Sequence, residues 1–99
     1  MHYNFEWDPY KAKHNLRKHK VSFERAAAIF LDPLAISIYD EEHSSEEDRW
    51  ITIGNDHTNN VLVVNHTFHE ENIDNCKVRV ISARKATKKE IKQYEGDKL

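Results

Sequence analysis

Cysteine, which forms disulfides, and glycine and proline, which interrupt helices and strands, are scarce in this sequence. Its 99 residues include one cysteine, two glycines and two prolines. The single Cys76 cannot form an internal disulfide and belongs to no Cys/His zinc pattern, which indicates a reducing compartment. No apolar stretch follows Met1, and no apolar run approaches the ~20 residues that cross a bilayer. We therefore expect one domain over residues 1–99, located in the cytoplasm and without membrane contact.

Several catalytic motifs are also missing. The sequence has no glycine-rich phosphate loop, no dinucleotide-binding turn, no nucleophile elbow and no helical His-Glu-x-x-His metal motif. A chemistry that needs no cofactor remains compatible with the sequence: RNA cleavage through attack of the substrate's own 2′-hydroxyl. That reaction requires a proton acceptor, cations at the phosphate and a proton donor. Side chains of His, Arg, Lys and Tyr can fill these roles.

The charges of the chain are unevenly distributed, although the formal net charge is only −2. Residues 1–30 hold six Lys and Arg against three Asp and Glu, residues 31–76 hold Arg49 alone against eleven acids, and residues 77–99 hold eight against three. If the two basic ends meet in the fold, they form a face for a polyanion, with the acidic middle elsewhere. Alternatively, these charges only keep helices soluble.

Three helices are predicted from capping residues. Asp8 stands ahead of Pro9, Ser22 precedes an apolar stretch with helical spacing, and Thr87 begins a capping box that ends at Glu90. The predicted helices span residues 9–20, 23–31 and 88–94.

Period-2 alternation and β-rich composition predict the strands. They cover residues 2–7, 34–39, 49–54, 61–67 and 77–84. The loop 40–48 carries six acids, and residues 55–60 have the composition of a tight hairpin turn. Short connections favour antiparallel pairing, so the order of elements predicts an α+β domain with helices against an antiparallel sheet.

The junction between the last strand and the last helix carries the densest set of cationic groups. Arg84, Lys85 and Lys88 lie beside a helix N-terminus, whose free N–H groups suit phosphate. Regular alternation predicts Ser82 and Arg84 on one face of the strand and Arg79 on the other. Arg84 could instead form a structural ion pair with the acidic middle segment.

His66 ends a strand on the same face as Leu62 and Val64. It could transfer protons near neutral pH, although a lone histidine at a strand end is more often structural. His69 is three residues away, so a shared metal ion would require the chain to turn between them.

Ordered motifs run through the chain from residue 5 to residue 94. They are Phe5-Glu6-Trp7-Asp8 with Lys11 and Asn15, Lys18-His19-Lys20-Val21-Ser22-Phe23-Glu24, Arg49-Trp50 with Ile53-Gly54, Leu62-Val63-Val64 with His66-Thr67, and Arg79-Val80-Ile81-Ser82-Ala83-Arg84-Lys85-Ala86-Thr87 with Glu90 and Tyr94. Together these blocks resemble the BrnT family of toxins.

The resemblance implies a RelE-like fold, with an antiparallel sheet packed by two N-terminal helices and a short C-terminal helix. It implies a metal-independent endoribonuclease toxin that inhibits translation and needs no cofactor. The implied partner is a BrnA-type antitoxin with a ribbon-helix-helix domain, and operator DNA would be contacted only through the toxin–antitoxin complex. The catalytic candidates are His19, Arg49, His66, Arg79 and Arg84, and the RNA-binding candidates are Lys18, Lys85, Lys88 and Tyr94.

Among these candidates, we assign Arg49, Arg79 and Arg84 to the phosphate and His19 or His66 to proton transfer. Two other functions stay open: a non-catalytic subunit that binds nucleic acid or antitoxin, and a metal-dependent hydrolase using His66 and His69.

The sequence departs from the family pattern in two places. Arg25 stands where members usually have an acid, which removes the capping-box partner of Ser22. Residues 70–76 form a longer and more acidic connection than expected.

Overall fold

The computed structural model describes residues 2–96, which form an α+β fold built on one six-stranded sheet. The helices are α1 (Pro9–His19), α2 (Phe23–Ala28) and α3 (Lys88–Tyr94), and the strands are β1 (His2–Glu6), β2 (Ile36–Tyr39), β3 (Arg49–Asn55), β4 (Val61–Thr67), β5 (His69–Glu70) and β6 (Asn75–Lys85). Met1 and residues 97–99, which the expected domain includes, lie outside the described residues. The α+β class is confirmed.

The sheet has the order β1-β6-β4-β3-β2, and β5 also pairs with β6. Pairing is antiparallel along β2, β3, β4 and β6, as short connections predict. The β1–β6 pair is parallel, however, from His2 beside Asn75 to Glu6 beside Arg79. The expectation of an antiparallel sheet is wrong for this pair, because two helices and four strands separate β1 from β6 in sequence and leave its direction free.

The three predicted helix starts are confirmed. Asp8 Oδ1 accepts the Tyr10 N–H at 2.8 Å, and Ser22 Oγ accepts the Arg25 N–H at 3.1 Å. The capping box of α3 is complete. The second helix is shorter than predicted, because its last residues, Ile29–Leu31, form a tighter 3₁₀ turn.

Arg25 has a role that its place in the sequence did not indicate. Its Nε lies 2.8 Å from Oδ2 of Asp56, which is buried in the turn between β3 and β4. The family departure therefore ties α2 to this turn, while Ser22 still caps the helix.

The core lies between the sheet and the first two helices. Its buried members are Val21, Phe23, Ala26 and Ile29 from the helical segment, and Leu62, Val64, Val80 and Ala83 from the sheet. Gly54 is needed beside it, since a Cβ there would lie 3.0 Å from Cβ of Ile29 and 3.1 Å from Cβ of Ala35. No helix among residues 2–96 is long and apolar enough to cross a membrane.

Asn15 fixes α1 against the part of β6 that β1 does not cover. Its side chain donates to the carbonyl oxygen of Ala83 at 2.8 Å and accepts the Ala83 N–H at 3.0 Å, as a neighbouring strand would. It also donates to the carbonyl oxygen of Val21 at 2.9 Å. One buried side chain therefore satisfies both backbone groups of Ala83 on this side of β6.

Residues 70–76, expected to be only a connection, belong to a hairpin. His69 pairs with Lys77 and Glu70 with Cys76, and the turn between the strands exposes Ile73. The last strand consequently begins at Asn75 rather than at residue 77. Because these residues are mostly polar and show no alternation of apolar and polar side chains, the sequence did not predict the β5–β6 pairing.

Candidate functional site

A bulge in β6 determines which side chains share the open face of the sheet, meaning the face opposite α1 and α2. Asn65 pairs with Ser82, whereas the next residue of β4, His66, pairs with Val80. Ile81 is therefore an extra residue in β6, and the alternation of side chains shifts by one position there.

The bulge brings Arg79 and Arg84 to the same face. Regular alternation predicted them on opposite faces, and that prediction is wrong because it did not include the extra residue at Ile81. Val80 and Ala83 are both buried in the core, so the arginines next to them project from the open face. The polar and charged members of this face are Arg49, Asn65, Thr67, Arg79, Ser82 and Arg84.

Arg49 and Arg79 meet at one end of the open face over a shared carboxylate. Glu47 Oε1 accepts from Nη2 of Arg79 in a short contact and from Nη2 of Arg49 at 3.4 Å. The hydrogen bond from Arg79 holds the pKa of Glu47 below its usual range. The Nε of Arg49 is buried and has no hydrogen-bond partner among residues 2–96. The structure thus assembles two guanidinium groups that can bind one anion.

Arg84 lies at the other end of the open face and is held by α3. Its Nη1 and Nη2 donate to the two carboxylate oxygens of Glu90 at 2.7 and 2.8 Å. Glu90 Oε1 also accepts the Thr87 N–H at 2.9 Å, and the bidentate contact with Arg84 lowers the pKa of Glu90 to about 2. Arg84 does form an ion pair, but with the helix start rather than with the acidic middle segment.

Lys18 and His19 line an open groove between α1 and β6. The groove encloses about 350 Å³ and is lined by Tyr10, Lys11, His14, Asn15, Lys18, His19, Ile81 and Ser82. Ser82 connects the groove to the open face, because its hydroxyl accepts a hydrogen bond of 2.7 Å from the Asn65 amide. His19, Lys18 and the open face therefore form a continuous surface.

His66 does not join this surface. It lies on the core face of the sheet with 2% of its area exposed, and its ring packs 4.8 Å from that of Phe30. Nδ1 donates to the carbonyl oxygen of Thr67 at 2.9 Å, which leaves Nε2 to accept from the Thr52 hydroxyl at 2.6 Å. Burial lowers the pKa of His66. These contacts place His66 on the face of Leu62 and Val64, as predicted, and away from the open face; its assignment to proton transfer stays a prediction.

The remaining RNA-binding candidates occupy different settings. Lys85 and Lys88 are exposed at the end of β6 and the start of α3. The Tyr94 hydroxyl, by contrast, donates to Oδ2 of Asp32 at 2.6 Å, and this contact raises the pKa of Tyr94 to about 12. Tyr94 therefore anchors α3 to the turn before β2 and donates its hydroxyl proton to Asp32, while its RNA-binding role stays a prediction.

The two basic ends of the sequence meet, as the charge distribution suggested. β1 lies beside β6, and α1 packs along the same strand. The cationic side chains of α1 thus lie next to those of the last strand. Asp97 and Lys98, which the C-terminal charge count includes, lie outside the described residues.

Sequence comparison identifies the family. Residues 7–90 match the family described as "Ribonuclease toxin, BrnT, of type II toxin-antitoxin system". The chain belongs to the BrnT family. The BrnT resemblance drawn from the sequence motifs is therefore confirmed, and the type II system implies an antitoxin partner.

The fold of this BrnT-family chain is similar to that of a solved relative. The crystal structure of the Brucella abortus ribonuclease toxin BrnT superposes with a TM-score of 0.61 at 20% sequence identity, covering 89% of this chain and 100% of that one. The comparison with curated proteins gave no match.

Sequence reasoning missed three residues of this candidate site. Lys11 and His14 line the groove with Lys18, and their helical spacing of three to four residues could have shown that they share its face. Glu47 was not singled out from its acidic loop, and nothing in its local sequence indicates a contact with Arg79. Over residues 2–96, no three His, Cys, Asp or Glu side chains gather in a metal-binding arrangement.

Proposed function

We propose that this BrnT-family protein is an endoribonuclease that cleaves RNA without a metal ion, through the 2′-hydroxyl of the substrate. The observation that carries the proposal is the arginine pair Arg49 and Arg79, which lies on the open face continuous with the groove of Lys18 and His19. Two guanidinium forks and a histidine supply the charge and the proton transfer that this cleavage needs.

The proposed reaction is an internal transfer at phosphorus. A base removes the proton of the 2′-hydroxyl, the 2′-oxygen forms a bond to the adjacent phosphorus, and the bond from phosphorus to the 5′-oxygen breaks. The departing 5′-oxygen takes up a proton. The products are a 2′,3′-cyclic phosphate and a 5′-hydroxyl, so the reaction consumes no water, oxidant or reductant. Cationic groups lower the barrier by stabilising the pentacoordinate phosphorus.

Arg49 and Arg79 bind the scissile phosphate in this proposal, each replacing its contact with Glu47 by a contact with a phosphate oxygen. The half-buried His19 takes the proton-transfer role, since His66 has both ring nitrogens bonded on the other face of the sheet. Arg84 adds positive charge from the far end of the face, in the position that Glu90 fixes. Lys18, Lys85 and Lys88 bind flanking phosphates.

The partner in this proposal is a BrnA-type antitoxin with a ribbon-helix-helix domain, which neutralises the toxin in the cytoplasm. Operator DNA is contacted through the complex, mainly by the antitoxin. RNA cleavage by the free toxin inhibits translation. The support is the BrnT family match and the placement of cationic residues on one surface.

An oligoribonucleotide assay tests the chemistry. The purified protein is incubated in excess EDTA with an RNA that it cleaves and with the same RNA carrying one 2′-deoxynucleotide on the 5′ side of the cleaved bond. We expect cleavage of the first substrate, protection of the second and a cyclic phosphate product. Loss of cleavage in EDTA that Mg²⁺ or Zn²⁺ restores would contradict the metal-free mechanism.

Arginine variants separate an enzyme from a subunit that only binds RNA. Arg79→Ala should lower the cleavage rate at least tenfold, which corresponds to about 1.4 kcal/mol in the barrier. Arg17→Ala, on the exposed surface of α1, serves as the control for loss of one positive charge. RNA binding without cleavage by the parent protein would favour the non-catalytic subunit instead.

A further inference from the structure

The β2 side of the sheet ends in an open strand edge. Within residues 2–96, β2 pairs only with β3. Asp40 directs its N–H to the carbonyl oxygen of Arg49 at 2.9 Å, so the alternation of an antiparallel strand turns the backbone groups of Ser37 and Tyr39 outward. On β6 the backbone of Ala83 is bonded by the Asn15 side chain, whereas β2 has no such cover among the described residues. An extended segment of another chain could therefore pair with β2.

Large apolar side chains are exposed in and just before this strand. Leu31 is 72% exposed, Leu34 68% and Ile38 50%. Of these, Ile38 lies in β2 itself. Single exposed apolar residues are ordinary, but an apolar side chain exposed on an unpaired strand edge is an aggregation risk unless a partner covers it.

A cavity opens beside the same strand, on the core face of the sheet. It encloses about 250 Å³ and is lined by Tyr3, Phe30, Ser37, Trp50, His66 and Phe68. Its walls are mainly aromatic, and two of its polar side chains are already bonded, since Ser37 Oγ lies 2.7 Å from Oγ1 of Thr52, which bonds His66. The cavity thus suits an apolar side chain, with few free groups to recognise a polar one.

The charges around β2 and the cavity favour some binding partners over others. The segment 40–48 directly follows β2 and holds six acids, and Asp48 accepts a 2.9 Å hydrogen bond from Tyr39. A polyanion such as RNA would be repelled here. A second copy of this chain pairing edge to edge would bring two acidic segments together. A segment carrying Lys or Arg would be attracted.

We propose that the antitoxin binds at this surface, laying an extended segment along β2 and inserting an aromatic or long aliphatic side chain, flanked by Lys or Arg, into the cavity. The inference rests on the antitoxin partnership in the proposed function and adds the location and the chemistry of the contact.

The test uses the purified product of the reading frame adjacent to this gene, with titration against the full-length toxin. Ser37→Phe fills the mouth of the cavity, and Glu42→Lys reverses one charge of the acidic segment. We expect each to weaken binding about tenfold, as truncation or repulsion at a central contact does. Glu24→Lys, the same charge change on the exposed surface of α2, is the matched control and should leave the affinity unchanged.

Two further measurements guard against misfolded variants. Leu34→Ser changes a side chain that is mostly exposed, so it spares the fold and should still weaken binding. In a Trp7→Phe background, Trp50 is the only tryptophan, and its fluorescence should change when the neighbouring protein binds. RNA cleavage by free Ser37→Phe should match that of the parent.

The outcomes distinguish this inference from the proposed function. If the parent binds the neighbouring protein and all three variants bind it equally well, the location is wrong although the partnership stands. If Ser37→Phe weakens binding of an oligoribonucleotide instead, the cavity binds a nucleobase and the inference is overturned. If the parent does not bind the neighbouring protein, the partnership and the inference both fail.

Discussion

The carboxylate of Glu47 lies between the guanidinium groups of Arg49 and Arg79, and one of its oxygens accepts hydrogen bonds from both. These are the two groups that we assign to the scissile phosphate. A carboxylate and a phosphate present similar oxygen pairs to a guanidinium fork, so Glu47 occupies the position that the substrate would take. In the function proposed above, RNA binding therefore displaces Glu47 from the two arginines.

Replacing Glu47 should strengthen RNA binding. In Glu47→Gln the competing charge is lost, and we expect the apparent Kd for an uncleavable 2′-deoxy analogue to fall about fivefold, equivalent to about 1 kcal/mol. Fluorescence anisotropy at two salt concentrations measures the effect. Glu46→Gln, in the same loop, is the control. Equal gains in both variants would point to general repulsion by the loop rather than to competition at the arginine pair.

The two histidine candidates should respond differently to substitution. His19→Gln removes the proposed proton-transfer group, so kcat should fall by about 10²-fold or more while the unfolding free energy stays near that of the parent. His66→Gln should lower stability and leave kcat of the folded fraction largely unchanged. Single-turnover cleavage combined with urea unfolding of both variants measures this. A larger loss of kcat in His66→Gln would reverse our assignment.

His66 should make the folded state sensitive to mild acid. Burial lowers its pKa in the native state, whereas the unfolded chain takes up a proton near the ordinary value of about 6.5. Stability is therefore fully present above pH 6.5 and decreases as the pH falls below it, at up to about 1.4 kcal/mol per pH unit. Urea unfolding of the parent and His66→Gln at pH 7.5 and 5.5 should show a smaller decrease for the variant.

Glu90 should make the stability of the fold depend on pH in a second, more acidic range. Its pKa of about 2 lies below the ordinary value of 4.5 because Arg84 binds the ionised carboxylate. The stabilisation is present above pH 4.5 and disappears as the pH falls towards 2. Glu90→Gln should cost about 1 kcal/mol at pH 7 through the weakened cap of α3, with the gap to the parent closing at low pH. A gap that persists at pH 2 would show that ionisation of Glu90 is not its source.

Gly54 should tolerate no side chain. Gly54→Ala would place its Cβ 3.0 Å from the Cβ of Ile29, so the 3₁₀ turn must shift, and we expect a loss of about 1–3 kcal/mol in unfolding free energy. Thermal unfolding measures it. Gly96→Ala is the comparison variant. A Cβ at position 96 meets no atom within 4 Å, but φ is +80°, so any loss of stability there comes from backbone strain rather than from steric contact.

The elements with strong local signals were predictable. Asp8 before Pro9, Ser22 and Thr87 each carry an oxygen that caps a helix within three residues, so short-range chemistry determines those starts. The β4 span was predicted without error because its run of β-rich residues begins directly after the turn residues 55–60.

The errors occurred where distant residues determine the outcome. The direction of β1 depends on a pairing partner about seventy positions away, and the facing of Arg84 depends on one extra residue at Ile81. Neither the direction of β1 nor the face of Arg84 can be predicted from the neighbouring residues. The same is true of His66, which alternation placed on the correct face of β4 without revealing that this face is buried.

The pairing of β1 with β6 also means that the sheet can be completed only late in synthesis of the chain. The N-terminal strand emerges first but finds its neighbour only after residues 75–79 have been added, and the same late segment supplies Arg79. A chain interrupted before β6 lacks the strand that pairs with β1, β4 and β5. In the function proposed here, ribosomes that release incomplete chains would release harmless ones.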